Sequence, residues 1–164
     1  KSQGILMSKR IIALAIASIA SSATVQAEDQ NFTASLEIMA PISIQVVRNL
    51  EFESTFVGHN EPIVTSPNSA KAAVFAAQGA AGWEARGYVV QNSIIMTTGN
   101  GQNHTLMIPV DRFSYGGDMD YNGRTQFDHL GKIDNLRVGA TAHVTNHNVK
   151  GFYQGTATFR LCYL

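Results

Sequence analysis

Between residues 31 and 47 the chain alternates. Phe32, Ala34, Leu36, Ile38, Ala40, Ile42, Ile44 and Val46 are apolar, and Thr33, Ser35, Glu37, Ser43 and Gln45 separate them. Eight apolar positions in a period of two predict strand and not helix. Pro41 has no backbone N–H to give to a ladder, so it should divide the run into two strands. A third short piece comes next at Leu50 and Phe52. Residues 58–69, GHNEPIVTSPNS, hold two prolines, two asparagines and a glycine, and predict a loop. Residues 70–77 are rich in alanine and helical by propensity. Gly79, Gly82 and Gly87 crowd the next ten residues, which favours a strand over 70–77 with Phe75 inward.

Further strands are expected around Trp83, Ala85 and Val89, over NSIIMTT, and at Leu106, Ile108 and Val110, with a turn at GNGQN. Residues 115–126, YGGDMDYNGRTQ, predict a polar loop. The clearest alternation comes last. Leu136, Val138, Ala140, Ala142 and Val144 share one face, as do Tyr153, Gly155, Ala157, Phe159, Leu161 and Tyr163. These two runs are expected to form an antiparallel hairpin with one buried face, joined by the turn TNHNVKG. No helical pattern of ten or more residues appears after the first 27, and many short strands in one domain predict an all-β sandwich. The last run ends the given sequence. A strand at a sheet edge needs a cover, and the apolar strand near residues 31–40 is a candidate, within its own chain or on the next molecule.

The first residues carry a different signal. From Met7 the text reads MSKRIIALAIASIASSATVQAED: two cations, a ten-residue apolar run from Ile11 to Ala20 broken only by Ser18, and a small-x-small site at Val25-Gln26-Ala27. This is the layout of a secretory signal peptide over residues 1–27, too short to span a membrane, with residues 1–6 upstream of the true start. An uncleaved anchor is the alternative. The mature chain is then a single domain over residues 28–164, of which 28–40 is a candidate donor strand. Losing Lys1, Lys9 and Arg10 leaves nine basic against twelve acidic residues, a net charge of −3. No basic run exists, so nucleic acid is not an expected partner. Cys162 is the single cysteine, which excludes an internal disulfide; a buried or half-buried thiol is expected.

NFTASLEIMAPISI, LEF, AAVFAAQG and VGATAHV…GFYQGTATFRLCY, taken in order, resemble a family of secreted bacterial pilin-like β-sandwich domains, similar to major pilins of the alternate chaperone–usher type. The most specific piece is the Gly-x-Tyr-x-Gly close at Gly151, Tyr153 and Gly155, whereas Glu53 stands where the family has glycine after Leu-x-Phe. The resemblance implies an immunoglobulin-like antiparallel sandwich in a Gram-negative bacterium. It implies a structural subunit of a fimbria, with copies of itself or related subunits, a periplasmic chaperone and an outer-membrane usher as partners. It assigns a donor role to Phe32, Ala34, Leu36 and Ile38. Tyr153, Ala157, Phe159, Leu161 and Tyr163 would line the receiving groove. An added strand satisfies a row of backbone groups while alternate side chains fill pockets. Burial of Phe32, Leu36 and Ile38 would contribute ~1.5–3 kcal/mol each before losses. That burial is the same whether the strand pairs within or between chains.

Other chemistry is thinly marked. Asp118, Asp120 and Asn122 match the first half of a calcium loop, D-x-D-x-N-G. His129 occupies the place of the closing Glu, so a solvated turn with Asn122-Gly123 is expected instead. His143 and His147 are four apart, but on a strand and turn that spacing does not bring two imidazoles together. No G-x-S-x-G and no phosphate loop appear, and neither an enzymatic role nor a cofactor is expected. Trp83, Tyr88, Tyr115 and Tyr121 are candidates for a sugar-binding face. They support the rival reading, a monomeric carbohydrate-binding or adhesin domain with a host or matrix glycan as ligand.

Overall fold

The computed structural model describes residues 28–164; the expected signal peptide lies outside them. The chain divides into two units, Lys1–Leu36 and Glu37–Leu164. The described part of the first, residues 28–36, contains no strand. The second holds nine strands: β1 (Ser43–Arg48), β2 (Pro62–Thr65), β3 (Ala73–Gln78), β4 (Glu84–Val89), β5 (Ile94–Thr97), β6 (Met107–Gly117), β7 (Arg124–Gln126), β8 (Lys132–His143) and β9 (Phe159–Tyr163). A 3-10 turn, His104–Leu106, precedes β6. The protein is all-β, with every strand pair among the described residues antiparallel.

The strands form two sheets facing one another. The larger runs β1-β3-β8-β6-β5, and β2 lies beyond β3 along the same edge of β8. The smaller runs β7-β4-β9. Three bulges, at Val46–Arg48 on β1, Ile133–Leu136 on β8 and Asp111–Ser114 on β6, bend the larger sheet into a half-barrel. The β6 bulge holds Arg112 at φ 52°, a conformation rare for a side-chain-bearing residue. The extra residue turns Phe113 inward, where it packs against both parts of the core.

The core has two parts. The first lies between the sheets and contains Ala73, Ala77, Ala85, Met119, Phe127, Ile133, Leu136, Val138 and Leu161. Phe75 of β3 stacks on Phe159 of β9 with ring centroids 4.4 Å apart, so β9 sits over β3. Gly87 permits this approach, since a Cβ there would lie 2.5 Å from the Phe159 ring. The second part, Ile108, Val110, Ala140 and Ala142, continues the inner face of β6 and β8 beyond the reach of the smaller sheet.

Four expectations change. Residues 31–40 form no ladder: alternation marks a side that can be buried, but a strand needs a neighbour to bond. The expected C-terminal hairpin does not form. β8 pairs with β2, β3 and β6, while β9 crosses to the other sheet and pairs with β4. Alternation fixes which side chains face inward and leaves the choice of neighbour open. The expected loops each contain strand. Pro62 takes the first position of β2, where its missing N–H is tolerated, β6 runs on to Gly117, and Arg124–Gln126 pairs with β4. Cys162 is exposed, because it falls out of phase with Leu161 and Tyr163 on β9.

Candidate assembly groove

β1 and β9 are edge strands, one in each sheet. Because β9 lies over β3, and β1 flanks β3, their free edges face the same opening. At one end of this seam the Tyr163 hydroxyl donates to the Ala40 carbonyl at 2.8 Å. Apart from the seam, a groove of about 590 Å³ lies over β5, β6 and the end of β8, and no residue of β1 or β9 lines it. Its floor is apolar: Ile63, Met96, Ile108, Ala142 and Val144. Its walls are two segments without a ladder, Leu50 to Val57 and Thr145 to Tyr153. At its mouth Phe56, Val57 and Phe152 are 75%, 64% and 78% exposed. Three large apolar side chains at the mouth of an apolar trough form the kind of patch that monomers rarely leave uncovered.

Each wall is fixed by polar contacts. Glu51 donates its N–H to the Lys71 carbonyl at 2.9 Å, and its own carbonyl accepts from the Thr65 hydroxyl at 2.9 Å. Lys71 pairs with Glu53 at 2.8 Å across the rim. On the other wall the buried Asn148 accepts from the Thr145 N–H at 2.8 Å and donates to the Met107 carbonyl at 2.9 Å. With the Val149 N–H on the Thr105 carbonyl at 3.1 Å, that amide ties the Thr145–Lys150 turn to the start of β6.

The Gly-x-Tyr-x-Gly motif has a steric reading. Gln154 exchanges two backbone hydrogen bonds with Thr97 on the edge of β5, at 2.8 and 3.0 Å. A Cβ at Gly155 would lie 2.7 Å from the Ile95 carbonyl, and one at Gly151 would lie 2.5 Å from the Thr98 hydroxyl. The two glycines let the chain hug β5, which turns Tyr153 inward against the second core and Phe152 out to solvent. The Tyr153 hydroxyl lies 2.8 Å from the Val149 carbonyl and 3.0 Å from that of Thr105.

The residues singled out in the sequence are dispersed. Phe32, Ala34, Leu36 and Ile38 are exposed, the three large ones by 86% or more. Of the expected lining residues only Tyr153 lines the groove. Ala157 is exposed outside any strand, whereas Phe159, Leu161 and Tyr163 pack with the first core. Sequence reading missed Phe56, Val57, Asn148 and Phe152. The available signal was the apolar content of LEFESTFV and of the residue before Tyr153, which alternation alone does not capture.

Asp118, Asp120 and Asn122 form a turn. Asp120 accepts the N–H groups of Asn122 and Arg124, both at 2.8 Å, and Asp118 accepts that of Asn135 at 3.1 Å. Asp128 repeats the design, accepting from Leu130 and Lys132 at 2.8 Å. The Lys132 N–H, foremost, holds the Asp128 carboxyl below its ordinary range. Each turn closes on a glycine at positive φ, Gly123 at 80° and Gly131 at 73°, which gives its carbonyl to Gly87 or Gly79. His143 contacts Asp111 at 2.6 Å, and His147 is exposed. Among the described residues no three His, Cys, Asp or Glu side chains converge as metal ligands would. The four aromatics do not form one platform: Trp83 meets Tyr163 edge-on, Tyr115 accepts from the Val89 N–H, and Tyr121 projects from the Asp120 turn.

Comparison with known family profiles, with curated proteins and with solved structures returned no significant match.

Proposed function

We propose that the protein is an exported structural subunit of a bacterial surface fibre, an immunoglobulin-like sandwich completed by the N-terminal strand of the next subunit. The observation that carries this reading is the half of the larger sheet that loops, and not the smaller sheet, cover. Its second core lies beneath an apolar groove where a sandwich would place a strand. The donor is the segment bearing Phe32, Ala34, Leu36 and Ile38, which has the alternation of a strand and no ladder of its own. Inserted into the seam, it would bond the free edges of β1 and β9 and bury side chains that both partners now expose. The signal-peptide pattern supports a route through the periplasm, with a chaperone covering the seam and an usher releasing it. This role needs no catalytic group and no cofactor.

One observation favours a second reading. A trough of about 590 Å³ with a polar rim is also the size of a small-ligand site, so a monomeric glycan-binding domain is the rival. The two separate cleanly. Residues 28–164 and a form lacking 28–40 would be compared by light-scattering chromatography and on unboiled gels. The fibre reading expects a heat-sensitive ladder from the longer form only, and recovery of folded stability when the shorter form receives a peptide of residues 31–40. A well-folded monomer from the longer form at every concentration would reject it.

A further inference from the structure

The geometry points to Tyr163 as a latch that fixes where the N-terminal arm leaves the body. Its hydroxyl has two partners, accepting from the Ala80 N–H at 2.6 Å and donating to the Ala40 carbonyl at 2.8 Å. The ring behind it is anchored, 5.7 Å from Phe127 and 6.3 Å from Trp83 between centroids. The chain makes room for the hydroxyl: a Cβ on Gly79 would lie 2.6 Å from the oxygen. A rigid donor therefore stands at the end of the seam, and it holds the last carbonyl before Pro41.

The choice of that carbonyl matters. Proline disfavours helical backbone in the residue before it, which biases Ala40 toward extended conformations. Pro41 has no N–H and cannot begin a ladder. On the C-terminal side Ile42 packs against the first core and β1 begins at Ser43. On the N-terminal side Ile38 and Met39 are exposed and unpaired. The Tyr163–Ala40 bond thus marks the boundary between bound backbone and free backbone. An arm that pairs with another molecule must start at a constant place, because a shift of one residue turns Phe32, Leu36 and Ile38 to the wrong face. The latch supplies that constancy. Its link to assembly rests on the fibre reading; the latch itself is a property of the monomer.

The test is hydrogen exchange by mass spectrometry on the monomer of residues 28–164, with Tyr163→Phe and Pro41→Ala. Tyr163→Phe keeps the ring and removes the hydroxyl. Pro41→Ala keeps the hydroxyl and frees Ala40. Loss of one hydrogen bond should raise exchange about five-fold over residues 42–48, with β3 and β8 unchanged and a smaller rise for Pro41→Ala. Equal exchange in wild type and Tyr163→Phe would overturn the latch. So would a rise spread evenly over all strands, unless Pro41→Ala gives the local one. In assembled material Tyr163→Phe should also dissociate faster. If no polymer forms from any version, the fibre reading fails while the monomer result still decides the latch.

Discussion

Leu136 and Ala142 lie on the same face of β8, both essentially without solvent exposure, yet different things cover them. Over Leu136 the smaller sheet closes the sandwich, with Leu161, Phe127 and the Phe75–Phe159 stack. Over Ala142 there is a trough walled by two segments without ladders, Leu50 to Val57 and Thr145 to Tyr153. The first half is closed by backbone pairing and interdigitated side chains. The second is closed only by loops that a few polar ties hold, such as Asn148 to Met107 and Thr65 to Glu51. Most large side chains of the first half are buried, while Phe56, Val57 and Phe152 surround the second and face solvent. The first core is closed by a second sheet, and the second is buried beneath loops alone.

Mutations can sharpen that contrast, and the largest effect belongs to the closed half. Leu136→Ala should destabilise the monomer by about 3–5 kcal/mol, read from urea unfolding, because it leaves a cavity with no room to collapse. A loss under about 1 kcal/mol would mean that this half is not the stable one. Next is Gly123→Ala. The residue has φ 80°, and a Cβ would lie 2.0 Å from the Gly87 carbonyl. The cost should be about 2–3 kcal/mol, from the left-handed conformation plus the displacement of β4. Phe152→Ser probes the open half. Monomer stability should stay within about 0.5 kcal/mol of wild type, while assembly measured by light scattering should fall at least several-fold. If instead the monomer loses stability and assembly is untouched, the open half is ordinary core.

The smallest effect is a pH dependence at the Asp128 turn. Backbone N–H groups of Lys132 and Leu130 lower the carboxyl below its ordinary value of 3.8. The folded state therefore binds this proton less readily than the unfolded state. The turn contributes stability above the ordinary carboxylate range, and that contribution fades as pH falls through the depressed value. Asp128→Asn should lower the urea midpoint slightly at neutral pH, and the gap to wild type should close in acid. A gap that stays constant with pH would mean that the charge plays no part.

Much of the closed half was legible in the sequence. The strand at Ala85 and Val89 and the face of Leu136 and Val138 come from a period of two, and Phe75 inward from the glycines that follow its strand. The pairing was not legible. β8 is long enough to serve three neighbours on its two edges, and nothing in its alternation says that β9 belongs to the other sheet. In the other half the face of Ile108, Val110, Ala140 and Ala142 was legible, and the walls over it were not. Those walls are irregular backbone held by single contacts, such as the Asn148 amide, and such contacts have no sequence period. The turn at Asp120 was visible as half of a cation loop, while its repeat at Asp128, also with a glycine three residues on, shows only in the backbone hydrogen bonds.

The most direct test of the central claim is hydrogen exchange of residues 28–164 in two states, dilute monomer and assembled polymer. The account predicts that the amides of β1 and β9 facing the seam exchange fast in the monomer. On assembly they should become protected together with residues 31–40, while β3 and β8 stay protected throughout. Seam amides that exchange alike in both states, or a chain that stays monomeric with residues 31–40 already protected, would contradict it.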